Sequence, residues 1–173
     1  TYSDYQSDMH HTGGDWVILE EGDEEVQYLS GLLQRDRSGS AISLIGTPVE
    51  NQDIRTRMRL DGFGSSRTGA WFGVLARYID AQNHYYVTAR DNGQIQIRKI
   101  VNGVITVLAS ANYPAAVGQT FDVRFLVVND QLQLWMDGVL VASAHDRDIT
   151  EGQYGLATNR AAATFWTLEV FQP

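Results

Sequence analysis

The chain has 173 residues, 43% of them hydrophobic and 10% aromatic, which suffices for one buried core and is short for two ordinary domains. We therefore expect one domain spanning residues 1–173. The formal net charge of -8 argues against nucleic acid as a partner, and the absence of any apolar run of about 18 residues argues against a membrane-spanning helix.

The first half of the chain begins irregularly and then alternates. The first fifty residues predict two or three strands, with the acidic stretch Glu20–Glu25 as a solvated turn between them. The alternative for that stretch is a calcium site, because loop carboxylates are oxygen ligands. Ile54–Leu60 alternates strictly, which places Arg55, Arg57 and Arg59 on the face opposite the apolar side chains.

Two aromatic strands follow a small-residue loop. Trp71–Tyr78 is apolar on both faces, which is typical of a central strand, and two-residue alternation places Arg77 on the face of Trp71. Asp80–Asn83 predicts a turn into the strand His84–Arg90. Alternation in that second strand predicts four side chains opposite the core, namely His84, Tyr86, Thr88 and Arg90.

The rest of the chain predicts an antiparallel meander. Asn92-Gly93, Asn102-Gly103 and Asp137-Gly138 are hairpin signals, because these pairs readily adopt positive φ angles. The predicted strands are Gln94–Ile100, Val104–Leu108, Phe121–Val127, Leu132–Met136, Tyr154–Asn159 and Thr164–Phe171. With roughly eleven to thirteen strands and no sustained helical period, the fold class is all-β, a sandwich of two curved antiparallel sheets.

Sequence motifs for catalysis are missing. The chain has no cysteine, no Gly-x-Ser-x-Gly, no His-Glu-x-x-His and no alternating Glu-x-Asp-x-x-Glu strand, so the common hydrolase sites are unsupported. A polysaccharide lyase is the enzymatic alternative, since it needs a Tyr or His base and an Arg or Gln beside a uronate carboxylate. The residues predicted opposite the core would form such a basic, aromatic groove, and would equally bind an acidic sugar without reacting: Arg57, Arg59, Arg77, His84, Tyr86 and Arg90.

Aromatic rings are the second ingredient of a sugar site, because the apolar face of a pyranose stacks on them. Trp71 and Trp135 are the candidate rings. Trp135 alternates away from Leu134 and Met136 and is predicted to be exposed, whereas core packing is the alternative for Trp71. Trp16 and Trp166 are assigned to the core.

Arg77 is the leading ligand candidate, because an arginine at the end of an apolar strand needs a partner. The alternative is an ion pair with a loop carboxylate such as Asp80. Asn83 and Asn159 are predicted to reach the groove from loops.

From Gly69 onward the sequence resembles the concanavalin A-like jelly-roll modules appended to secreted pectate lyases and other polysaccharide-degrading enzymes. The segments that carry the resemblance are Trp71–Asp80, Asn83–Tyr86, Ile97–Gly103, Leu108-Ala109, Leu134–Gly138 and Gly152–Leu156. The resemblance implies a jelly-roll fold, a secreted location, an appended catalytic domain in the same chain and a polysaccharide or oligosaccharide ligand. Jelly-roll alginate lyases have an arginine-rich strand similar to Arg55–Arg59, but their Gln-x-His and Tyr-Phe-Lys segments have no counterpart here.

The same resemblance implies a structural calcium ion. Ser3-Asp4-Tyr5 is similar to the Asp-Asp-Phe start of such modules, which makes Asp4 the metal candidate, although Trp166 stands where their last strand commonly has an aspartate. We expect a monomeric, non-catalytic carbohydrate-binding module excised from a larger protein, since the chain begins at Thr1, with an acidic, uronate-containing ligand. The alternatives are a small lyase and a structural or adhesive accessory domain.

Overall fold

The computed structural model describes residues 10–12, 15–21, 24–30, 40–64 and 69–173, with side chains from residue 41 onward except those of residues 45 and 167. These parts of the chain form fourteen strands and contain no helix, so none that could cross a bilayer. In chain order the strands are β1 (His10–Thr12), β2 (Asp15–Glu21), β3 (Glu24–Ser30), β4 (Ser40–Val49), β5 (Gln52–Phe63), β6 (Trp71–Asp80), β7 (Asn83–Arg90), β8 (Gln94–Val101), β9 (Val104–Asn112), β10 (Thr120–Val128), β11 (Gln131–Met136), β12 (Val139–His145), β13 (Gly152–Asn159) and β14 (Ala161–Phe171).

The described strands form two antiparallel sheets of seven. The first sheet has the order β1-β4-β13-β6-β7-β8-β9, and the second has the order β12-β11-β10-β5-β14-β3-β2. The prediction of an all-β antiparallel sandwich is confirmed. The predicted strand number is too low, because the first fifty residues contribute four strands; β2 and β3 pair around the acidic stretch, with Glu20 opposite Glu25.

One apolar cluster lies between the sheets and holds them together. It takes Phe72, Tyr85 and Ile97 from the first sheet and Met58 and Phe125 from the second, all of them fully buried. Every second residue of these strands enters the cluster, as a two-residue period requires. Each sheet therefore has one face against the core and a second, outer face turned away from it.

The three predicted hairpins are confirmed, although only Gly93 of the Asn92-Gly93 pair has a positive φ angle. Asn102 and Gly103 have φ angles of 50° and 78°, and Asp137 and Gly138 have φ angles of 50° and 81°. Such pairs of positive φ angles match the twist of the flanking strands, which fixes the register of β8 with β9 and of β11 with β12.

Arg77 interrupts the alternation of β6. Its φ angle is 44°, and the pairing of β6 with β7 shifts register between Ala76 and Asp80. This bulge adds one residue to the strand, so Tyr78 rather than Arg77 shares the outer face with Trp71. The prediction that Arg77 lies on the face of Trp71 is wrong for this reason.

The guanidinium of Arg77 forms hydrogen bonds to two strand connections, the one between β4 and β5 and the one between β12 and β13. It is 1% exposed, and its Nε and Nη1 donate to the backbone carbonyls of Glu50 at 2.7 Å and Ile149 at 2.9 Å. Its own backbone N–H donates to Gln52 Oε1 at 3.0 Å. Burial lowers the pKa of Arg77, and the described residues give it no ion pair with Asp80 or any other carboxylate.

We predict that Arg77→Met lowers the free energy of unfolding by about 3 kcal/mol, because the buried carbonyl of Ile149 and the partly buried carbonyl of Glu50 lose a charged donor. Arg147→Met is the matched control, since the Arg147 side chain lies beside the same connections, is 86% exposed and only approaches Asp130 at 3.4 Å. That control should change stability by less than about 1 kcal/mol. Urea unfolding measures both, and equal losses in the two variants would contradict the role given to Arg77.

Candidate functional site

Four aromatic rings form a continuous row on the outer face of the first sheet. The ring centroids are separated by 5.5 Å from Trp71 to Tyr86, 5.2 Å from Tyr86 to His84 and 4.8 Å from His84 to Tyr78. We call Trp71, Tyr86, His84 and Tyr78 the aromatic row. Trp71 and Tyr78 are partly exposed, whereas Tyr86 and His84 between them are buried.

The row follows from strand pairing. β6 and β7 are neighbours in register, with Trp71 opposite Arg90 and Leu75 opposite Tyr86, so outward side chains of both strands share one surface. Trp71, His84, Tyr86 and Arg90 are therefore brought together as predicted. Tyr78 was missed, because only the bulge at Arg77 turns it to this face.

Two arginines flank the row. Arg90 lies opposite Trp71 on the neighbouring strand, and Arg98 lies opposite Tyr86. Arg90 donates to Thr88 Oγ1 at 3.2 Å and Arg98 donates to Gln96 Oε1 at 2.7 Å. Arg98 was missed as a site residue, although its position two strands from Trp71 follows from the hairpin register.

Neither of these arginines has an ionic partner within the described part of the chain. The pKa of Arg90 is lowered, first by burial and then by the charge of Arg98. The two cations are thus close enough to repel each other, and an anion placed between them would relieve that repulsion. Asp91 acts in the opposite direction on the pKa of Arg90, but the lowering effects dominate.

His84 is held as a neutral hydrogen-bonding group. Its Nδ1 lies 3.0 Å from the backbone carbonyl of Asp80, which can only accept, so the proton is on Nδ1 and Nε2 is left as an acceptor. Burial lowers the pKa of His84 and outweighs the opposing effect of that hydrogen bond.

The two predicted asparagines differ in their surroundings. Asn83 is engaged in turn structure, since its Nδ2 donates to Asp80 Oδ1 at 3.0 Å and its Oδ1 accepts from the backbone of Asn102 at 3.0 Å. Asn159 lies opposite Trp71 on β13 and donates to the carbonyl of Gly69 at 2.9 Å. Asn159 therefore borders the aromatic row, whereas the Asn83 side chain stabilises the turn between β6 and β7.

The remaining predicted residues lie on the other sheet. Arg57, Arg59 and Trp135 are on the outer face of the second sheet, because β5 pairs with β10 and β14 and not with β6. The prediction of a single groove joining Arg57 and Arg59 to Arg77, His84, Tyr86 and Arg90 is wrong, since the core separates the two outer faces.

Arg57 and Trp135 border a cavity of about 500 Å³. We call it the tryptophan cleft, and its lining residues are Arg55, Thr56, Arg57, Asp122, Val123, Arg124, Trp135, Gly138, Trp166 and Glu169. The assignment of Trp166 to the core is wrong. A register shift between Trp166 and Glu169 leaves Leu168 and Val170 in the core and turns Trp166 outward.

A metal site is not found among the described residues, which contain no group of three or more His, Cys, Asp or Glu side chains that could hold an ion. Asp4 lies outside the described residues. Structural calcium at Asp4 therefore stays a prediction.

Comparisons with known proteins place the fold. No protein-family model matches the chain. A levanase from Bacillus subtilis (strain 168) is 30% identical over 87 residues, which are 50% of this chain and 13% of the levanase. Among solved structures, the carbohydrate-binding module CBM66 from Bacillus subtilis superposes with a TM-score of 0.75 at 20% identity, covering 94% of each chain.

A Bacillus subtilis protein of unknown function with a galectin-like fold superposes with a TM-score of 0.70 at 10% identity, covering 95% of this chain and 89% of that one. At these identities the likeness concerns the fold. The predicted jelly-roll sandwich is confirmed.

We predict that the free energy of unfolding falls as the pH drops below about 6.5, because the unfolded chain then binds a proton that buried His84 resists. His84→Gln should flatten this dependence as the pH falls below about 6.5, because the titrating ring is removed. Urea unfolding at a series of pH values measures the slope for the variant and for the wild type. An unchanged slope in the variant would refute the assignment.

Proposed function

We propose that this chain is a non-catalytic carbohydrate-binding module and that the aromatic row is its sugar-binding surface. The observation that carries the proposal is a run of four rings in contact, bordered by amide, hydroxyl and guanidinium groups. Sugar rings bind by stacking an apolar face on an aromatic ring while their hydroxyls meet fixed polar groups. Trp71 and Tyr78, the partly exposed rings at the two ends, are the stacking platforms.

Similarity to known proteins supports the same role. The structure shares its fold with a carbohydrate-binding module, and half of the sequence resembles part of a levanase, an enzyme named for a polysaccharide. Because the matched segment is only 13% of that levanase, we propose that the module acts beside a catalytic domain in one secreted chain.

We further propose that the bound sugar is acidic. Arg90 and Arg98 flank the row without an ionic partner in the described residues, and a uronate carboxylate provides the planar oxygen pair that a guanidinium binds best. Gln96 holds Arg98 in place, and Thr88 holds Arg90.

Trp71→Ala should weaken binding of polygalacturonate or alginate oligosaccharides at least tenfold, a loss of about 1.4 kcal/mol, because the stacking ring is removed. Trp71→Phe should recover part of the affinity, and Arg147→Ala should bind as the wild type does. Isothermal titration calorimetry measures the affinities.

The ultraviolet absorbance of the wild-type protein mixed with these uronate oligosaccharides should stay constant over time, because only a lyase would form an absorbing unsaturated product.

No binding to any glycan would overturn the carbohydrate-binding proposal. It would favour an accessory role for the exposed apolar strip on the edge strands β9 and β12, formed by Val104, Ile105, Val107, Val139 and Leu140.

The acidic preference has its own test. Arg98→Gln should lower uronate affinity about tenfold and reduce its dependence on sodium chloride, because one charge contact is lost. Arg147→Gln is the matched control, an exposed arginine at the end of the sandwich, and should leave both unchanged. If the wild type binds neutral glycans at Trp71 as tightly as uronates, the preference for acidic sugars is wrong while the carbohydrate-binding role stands.

A further inference from the structure

The tryptophan cleft repeats the ingredients of a sugar site on the opposite sheet. Strand pairing sets Trp135 beside Arg124, Arg124 beside Arg55, and Arg57 beside Trp166. Two indoles therefore border a polar floor that crosses four strands. The cavity of about 500 Å³ is within the usual range for small-molecule sites, and the Arg55 and Arg57 side chains in its floor are 47% and 51% exposed.

Both indoles are positioned by arginines. The guanidinium carbon of Arg124 lies 5.9 Å from the ring centroid of Trp135, and that of Arg59 lies 5.4 Å from the ring centroid of Trp166. Such cation–π contacts favour one ring orientation. The Nε1–H of Trp135 is buried and has no acceptor among the described groups, which costs free energy. A tryptophan held at a cost in stability indicates that its position serves something other than folding.

The floor of the cleft is electrically neutral. Asp53 accepts paired hydrogen bonds from Arg55, at 3.2 and 2.9 Å, and from Arg124, both at 3.0 Å. Arg57 donates to Asp122 at 3.0 Å. Burial acts to raise the pKa of Asp53, but the two arginines outweigh it and hold that pKa below its ordinary value. Glu169, opposite Arg55, adds a further carboxylate.

This pairing distinguishes the cleft from the aromatic row. Arginines that already contact carboxylates have little to gain from an anionic ligand, and the carboxylates would repel one. Alternating donors and acceptors instead match hydroxyl groups, each of which both donates and accepts. The ligand chemistry that fits two indoles over such a floor is an uncharged saccharide.

We propose that the tryptophan cleft is a second carbohydrate site, specific for neutral glycans, on the sheet opposite the aromatic row. The site stands on its own geometry. Its consequence, a module that binds two chains at once, rests on the proposed function of the aromatic row. Because the two outer faces point away from each other, one glycan chain would occupy each face, and the module would link an acidic polysaccharide to a neutral one.

The test uses the whole chain with ¹⁵N labelling and follows the indole N–H signals, assigned with single Trp→Phe variants. The neutral probes are levan, inulin, xylan, mannan and mixed-linkage β-glucan oligosaccharides, and the acidic probe is oligogalacturonate. At least one neutral probe should shift the Trp135 and Trp166 signals and leave the Trp71 signal in place. Oligogalacturonate should do the reverse.

Trp166→Ala should lower affinity for that neutral probe at least tenfold, which corresponds to about 1.4 kcal/mol of binding free energy. The same variant should change oligogalacturonate affinity less than twofold. Trp71→Ala is the matched variant on the other sheet and should show the opposite pattern. Neutral probes that shift only Trp71, or no indole at all, overturn the second site. If the wild type binds a neutral probe at Trp135 and Trp166 but does not bind oligogalacturonate, the proposed function of the aromatic row is wrong and the second site stands. The wild-type spectra decide between these outcomes even if Trp166→Ala does not fold.

Discussion

Each sheet of this sandwich packs one face against the shared core, and that constraint organises everything else in the molecule. The core cluster draws every second residue of both sheets inward, so the residues between them are turned to two separate outer surfaces. Polar and aromatic side chains that alternate with core residues therefore form surfaces whose members are set by strand neighbours. The aromatic row and the tryptophan cleft are two products of the same rule.

The two surfaces use similar residues with opposite electrostatic character. On the first sheet, Arg90 and Arg98 donate hydrogen bonds to neutral side-chain oxygens and form no ion pair among the described residues. On the second sheet, Arg55 and Arg124 share Asp53, and Arg57 is paired with Asp122. The difference lies in whether a carboxylate occupies a neighbouring outward position, and it explains why we assign an acidic ligand to one face and a neutral one to the other.

Alternation and turn chemistry predicted the strand class, most strand positions and the Asn-Gly and Asp-Gly hairpins, because these depend on neighbouring residues. They also grouped His84, Tyr86 and Arg90 correctly. The sequence did not reveal which sheet each strand joins, because that depends on pairing between distant parts of the chain. Arg57 and Arg59 on β5 were therefore assigned to the wrong surface. Bulges at Arg77 and after Trp166 reversed the inward and outward order, and no residue in either segment signals the extra position.

The proposed function requires the aromatic row to be a sugar-binding surface flanked by cations. A crystal structure of the chain soaked with an oligogalacturonate tests this most directly. We predict a sugar ring stacked on Trp71 or Tyr78, with a uronate carboxylate within hydrogen-bonding distance of Arg90 or Arg98. A ligand bound only elsewhere on the surface, or a carboxylate directed away from both arginines, would contradict the account.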